Sequence, residues 1–164
     1  MKIVISVTAI ILGSVIIGFC IHGINTAESF VADLAGHPIG GSAQSIERSL
    51  TITLVMAILL NVSALFILAL VFFKVKNLKV QIAGVGIVAM AAIIVIQELA
   101  RHVNHPLFRV GDIVIFNTPF YMFNESTQNM LNWSAFIIGL GLVALCGFYA
   151  HKLYNQIKEG RSVQ

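Results

Sequence analysis

Residues 80–106 read VQIAGVGIVAMAAIIVIQELARHVNHP, and how this stretch is interpreted decides the fold. Its first part, residues 80–96, carries no charge, and then Gln97, Glu98, Arg101, His102 and His105 arrive together before Pro106. An uncharged helix that opens abruptly into carboxylate, guanidinium and imidazoles has the pattern of a membrane span emerging into an aqueous or headgroup layer. Glu98, His102 and His105 stand at i, i+4 and i+7, so a helix continuing past Glu98 sets them in one stripe.

The rest of the chain repeats the apolar pattern. Of the 164 residues 58% are hydrophobic and only 10% charged, with a mean hydropathy of +0.93. Soluble domains carry about 25% charged residues, so this chain lacks the polar side chains to cover its apolar surface in water. The reading is an all-α integral membrane protein, one membrane domain over residues 1–164. Its expected architecture is an antiparallel four-helix transmembrane bundle with spans at about 3–22, 51–73, 80–98 and 133–150. A formal charge of +3 gives no reason to expect nucleic acid. The expected surroundings are a lipid bilayer and, through small-residue helix faces, other membrane subunits or a second copy.

The first apolar run follows Lys2 and is longer than the core of a secretory signal. The only small-residue exit after it is Asn25-Thr26-Ala27, and Phe19 precedes Cys20 where a lipidation site needs a small residue. An uncleaved first helix is therefore expected. Cys20 and Cys146 fall in different spans near opposite faces, beyond the roughly 7 Å that a disulfide tolerates between Cα atoms. With no CxxC motif, both read as small buried apolar residues.

Two loops connect the spans on the extracytoplasmic side. In the first, about 25–49, Asn25 and Glu28 predict the cap of a short helix through Ala35, with Phe30, Val31 and Leu34 on one face; Gly36, Pro38, Gly40 and Gly41 end it. The second, about 99–132, is long and partly apolar, with clusters at 112–116 and 119–123 that suit folding back onto the helix ends or re-entering the interface. Asn124-Glu125-Ser126 fits a glycosylation acceptor. Residues 151–164 form a polar tail.

Basic residues set the orientation. Lys2, Lys74, Lys76, Lys79, Lys152, Lys158 and Arg161 lie on one side, against Arg48, Arg101 and Arg109 on the other. The excess places both termini and the short second link in the cytoplasm of a multi-pass protein in a plasma or inner membrane.

Few groups offer chemistry. Glu98, His102 and His105 have the ligand types and spacing for a divalent cation, although Pro106 pushes His105 out of helical geometry. The plainer reading pairs Glu98 with Arg101 or His102 at the surface. His22 stands at about the depth of His102, and two such imidazoles are what bis-histidine ligation of a haem b requires. Lone histidines at helix ends more often cap carbonyls or face headgroups. Asn61 and Ser63 at the middle of the second span, with Gln97, need polar partners: an interhelical hydrogen bond is the ordinary answer, a lining for a neutral solute the other. The small residues Ser14 and Gly18, Gly84 and Gly86, and Gly139 and Gly141 allow close helix approach. The expected function is a non-enzymatic accessory or scaffold subunit of a larger membrane complex. A haem- or metal-binding redox protein and a small neutral-solute transporter or channel are the alternatives.

Overall fold

The computed structural model describes residues 1–33, 43–104 and 125–161. They form four helices: α1 (Lys2–Asp33), α2 (Ala43–Phe72), α3 (Leu78–Asn104) and α4 (Glu125–Arg161). All four are long and apolar enough to cross a membrane, over Lys2–Ser29, Glu47–Phe72, Leu78–Gln97 and Met130–Glu159. The helices touch in a closed cycle, α1 on α2, α2 on α3, α3 on α4 and α4 on α1, the last contact being the slightest.

The helices are longer than the apolar runs that nucleate them. α1 passes through Asn25 without a break, so the separate capped helix expected there is the last part of α1 itself. A capping side chain starts a helix only where the preceding backbone has left helical geometry, and nothing before Asn25 forces that. Thr26 and Ser29 satisfy themselves within the helix instead, donating to the carbonyls of His22 at 2.8 Å and Thr26 at 2.9 Å. α4 likewise begins eight residues before Trp133 and carries the polar tail on to Arg161 as helix.

Each helix buries one stripe. In α1 it is Ile5, Ala9, Leu12, Ile16 and Cys20, in α2 Leu50, Ala57, Leu60, Ala64 and Ile67, in α3 Val85, Val88, Ala92 and Val95. The steps of three, four and seven keep these side chains on one face, and alanines set among branched residues let the helices draw close. The opposite faces are apolar too, with Ile11 60% and Met90 66% exposed. A helix apolar all round belongs in a core or a membrane, not at a water interface.

The five residues between α2 and α3 are held by backbone bonds and by two side chains. Lys74 takes φ 51°, its N–H donates to the Val71 carbonyl at 3.1 Å, and the Val75 N–H reaches the Leu70 carbonyl at 3.0 Å. These two bonds are the paired closure that ends helices on a left-handed residue. Asn77 then caps α3, its Oδ1 accepting from the N–H of Lys79 at 3.0 Å and of Val80 at 3.4 Å. The buried Gln81 ties the turn together, donating from Nε2 to the Val75 carbonyl at 2.7 Å.

A lysine in this conformation costs more than a glycine. Lys74→Gly is expected to raise the stability of the detergent-solubilised protein by about 0.5–1 kcal/mol, the range set by left-handed strain less the added freedom of the unfolded chain. Thermal unfolding measures it, and an unchanged or lowered midpoint contradicts this account of the turn.

Candidate functional site

Asn61 of the second span is built into the α1–α2 contact. Asn61 donates from Nδ2 to Ser14 Oγ across the two helices at 3.1 Å, the interhelical bond expected of a mid-span asparagine. Its Oδ1 is buried without a hydrogen-bond partner and lies against Gly13. A Cβ at Gly13 would run into that oxygen and stand 3.1 Å from the Ala57 carbonyl oxygen. The missing side chain of Gly13 is thus the space that Asn61 fills.

Ser63 behaves differently from the expectation of an interhelical bond. It is buried, but its hydroxyl donates to the Leu60 carbonyl on its own helix at 2.8 Å, because a serine in a helix has an acceptor within reach one turn back. Around it an apolar groove of about 510 Å³ opens between α2 and α3, walled by Met56, Phe66, Ile87 and Met90. Gln97 is exposed at the end of the candidate span Leu78–Gln97. Asn61, Ser63 and Gln97 therefore do not come together around one path: the first is used against α1, the second against its own backbone.

α3 does continue as helix to Asn104, so the backbone positions of Glu98 and His102 are one turn apart as the spacing predicts. The side chains of Glu98, Arg101 and His102, and all of His105, lie outside the described residues, as do the two apolar clusters at 112–116 and 119–123. His22 is exposed on α1. Among the described residues no three His, Cys, Asp or Glu side chains gather as a metal site. Cys20 and Cys146 are free thiols, both buried.

α1, α3 and α4 divide their glycines between an inner and an outer use. Gly13 meets Asn61, Gly84 meets Leu70 and Phe66, and Gly139 meets Ile96, with a Cβ there only 2.7 Å from Ile96 Cγ1. Among the described residues, nothing lies within 4 Å of the same position at Gly18, Gly86, Gly141 and Gly147. The close approaches thus fall on Gly13 as well as on Gly84 and Gly139, while Gly18, Gly86 and Gly141 look outward. Gly13 is the contact residue the sequence reading missed, since the spacing drew attention to Ser14 and Gly18. The α3 cap at Asn77, by contrast, has a local signal, an asparagine immediately before an apolar run.

Within the candidate spans the sequence places no Asp, Glu, Lys or Arg over residues 3–27, 49–73, 80–97 and 126–151. Among the described residues there, Asn61 joins two helices and Ser63 and Gln81 bond to backbone, while Ser6 Oγ is buried without a hydrogen-bond partner. Comparison of the chain with protein-family models, with curated proteins and with solved structures gives no significant match.

Proposed function

We propose that the chain is an integral membrane protein whose four helices cross the bilayer as an antiparallel bundle, and that it serves as a non-enzymatic accessory or scaffold subunit of a larger membrane complex. Both termini and the α2–α3 turn lie in the cytoplasm, following the excess of lysines at that end. The observation that carries the subunit reading is α4. Only 22% of its apolar window is buried within the chain, against 33–39% for the other three helices. Its outer face presents Gly141, Ala144 and Gly147, exposed and spaced by three, with open space over both glycines. Small residues at such a spacing let a second helix backbone approach closely, which in lipid is a main source of helix association.

The reading predicts a complex larger than the monomer after mild detergent extraction, resolved by blue-native electrophoresis. Replacing the open positions by Gly141→Leu and Gly147→Leu is expected to weaken that assembly about tenfold or more, by adding bulk at a close-packed seam. The helical content stays as it was, because among the described residues no neighbouring side chain or helix lies within 4 Å of a Cβ at either position. A wild-type chain that runs alone as a monomer, or a doubly substituted chain that assembles as before, overturns this reading.

A further inference from the structure

At the end of the molecule where α1 starts and α2 turns into α3, a cleft of about 600 Å³ is open to the surroundings. Lys2, Lys74 and Lys76 line it together with Gln81 and Tyr149, over apolar floor from Leu70 and Val75. Among the described residues no carboxylate lines it, so Lys2, Lys74 and Lys76 share one concavity without a counter-charge from its described walls. Like charges gathered this way repel unless an anion lies among them. One of the three, Lys74, sits at the left-handed turn position where glycine costs least. The turn thus keeps an amine where backbone energetics favour none, and such an outlier points toward function.

The cleft also has a definite depth. Lys2 opens the candidate span Lys2–Ser29, and Lys74 and Lys76 lie just beyond the end of Glu47–Phe72. Phe72 and Phe73, 80% and 74% exposed, mark the same level, where aromatic rings settle at a bilayer boundary. Its volume lies in the usual range for ligand sites.

We propose that this cleft binds the phosphate-bearing headgroup of an anionic phospholipid, with the three ammonium groups of Lys2, Lys74 and Lys76 as its charge partners. The inference rests on the membrane reading above. Lysines act here as mobile point charges around a phosphate, Tyr149 and Gln81 complete the wall, and the apolar floor meets the glycerol end of the lipid. Basic pockets between helices at the cytoplasmic rim are a recurrent way of holding such headgroups.

The test uses the full chain purified in non-ionic detergent and titrated with phosphatidylglycerol or phosphatidylcholine, with bound lipid counted by native mass spectrometry. The wild-type chain is expected to prefer phosphatidylglycerol. The triple variant Lys2→Gln, Lys74→Gln, Lys76→Gln is expected to lose that preference by about tenfold to a hundredfold. The triple lysine-to-arginine variant keeps it, as does Lys152→Gln with Lys158→Gln, which lies outside the cleft. A glutamine triple that binds as the wild type does, or equal losses in the cleft and tail variants, overturns the proposal. Displacement of the lipid by an equal concentration of inorganic phosphate also overturns it, by assigning the cleft to a soluble anion. Alkaline carbonate extraction separates the two claims: an extractable wild-type chain refutes the membrane reading, whereas a retained chain with no phosphatidylglycerol preference refutes the lipid site alone.

Discussion

Gly13→Ala is expected to destabilise the packing of α1 on α2 by about 1–3 kcal/mol, the range for forcing extra atoms into a filled contact. The added methyl lands on Asn61 Oδ1 and 3.1 Å from the Ala57 carbonyl oxygen. The first obstacle is a side chain and can swing aside, but only by giving up its bond to Ser14. That bond is worth about 0.6 kcal/mol in a membrane setting, and at most about 1.7. The second obstacle is backbone, so relief there moves the helices apart. An alanine gains up to about 1 kcal/mol of helix propensity over glycine, which is why the matched control matters. Gly18→Ala on the same helix meets nothing within 4 Å among the described residues and is expected to be neutral or slightly stabilising. In the pair Gly13→Ala with Asn61→Ala, part of the loss returns, giving a coupling of about 0.5–3 kcal/mol. Thermal unfolding in detergent reads all four variants. Equal midpoints for Gly13→Ala and Gly18→Ala contradict the assigned contact.

Leu60→Arg is expected to have a larger effect than any of the other single substitutions. Leu60 is fully buried at the centre of the α2 stripe. Truncating such a leucine costs about 2–5 kcal/mol through lost contacts and the cavity left behind. An arginine at a span centre adds about 3–4 kcal/mol relative to leucine on insertion scales, and residues 49–73 offer no acid to neutralise it. Leu65, a little over one turn along and 56% exposed, separates the two components. Leu65→Ala is expected to cost under about 1 kcal/mol, because a side chain facing lipid loses little packing, while Leu60→Ala shows the full core cost. Thermal midpoints measure the alanine pair and the fraction retained in carbonate-washed membranes measures the arginine variant. If the two alanine variants lose stability equally, α2 does not turn its Leu60 face inward and its Leu65 face to lipid.

The number and placement of the helices were legible because charge is absent from four runs and reappears between them. Hydropathy reads that directly, and the short α2–α3 link follows from Lys74 through Lys79. The continuation of α3 to Asn104 was only half legible: the spacing of Glu98 and His102 fits a helix, yet residues 99–132 read as a loop. Helix ends were not legible, because Asn25 looks like a cap and Trp133 like an interface start while the helix propensity around each carries on. Harder still was which face each helix turns inward. When Ile11 on one side and Leu12 on the other are equally apolar, no hydrophobic period distinguishes them, and the choice falls to steric fit such as Asn61 in the space left by Gly13. That fit pairs residues 48 positions apart, and a single sequence carries no mark of it. The self-satisfied hydroxyl of Ser63 was hidden for a related reason: its acceptor is a backbone carbonyl, the same at every position.

The most direct test of the membrane map is labelling of intact cells with an impermeant maleimide, in a chain carrying Cys20→Ala and Cys146→Ala. Gln44 and Lys76 are both exposed and stand at opposite ends of α2, so Gln44→Cys and Lys76→Cys report the two sides of the layer. The account predicts that Gln44→Cys reacts on intact cells and Lys76→Cys reacts only after permeabilisation. Equal reaction of both from outside, or reaction of Lys76→Cys alone, contradicts it.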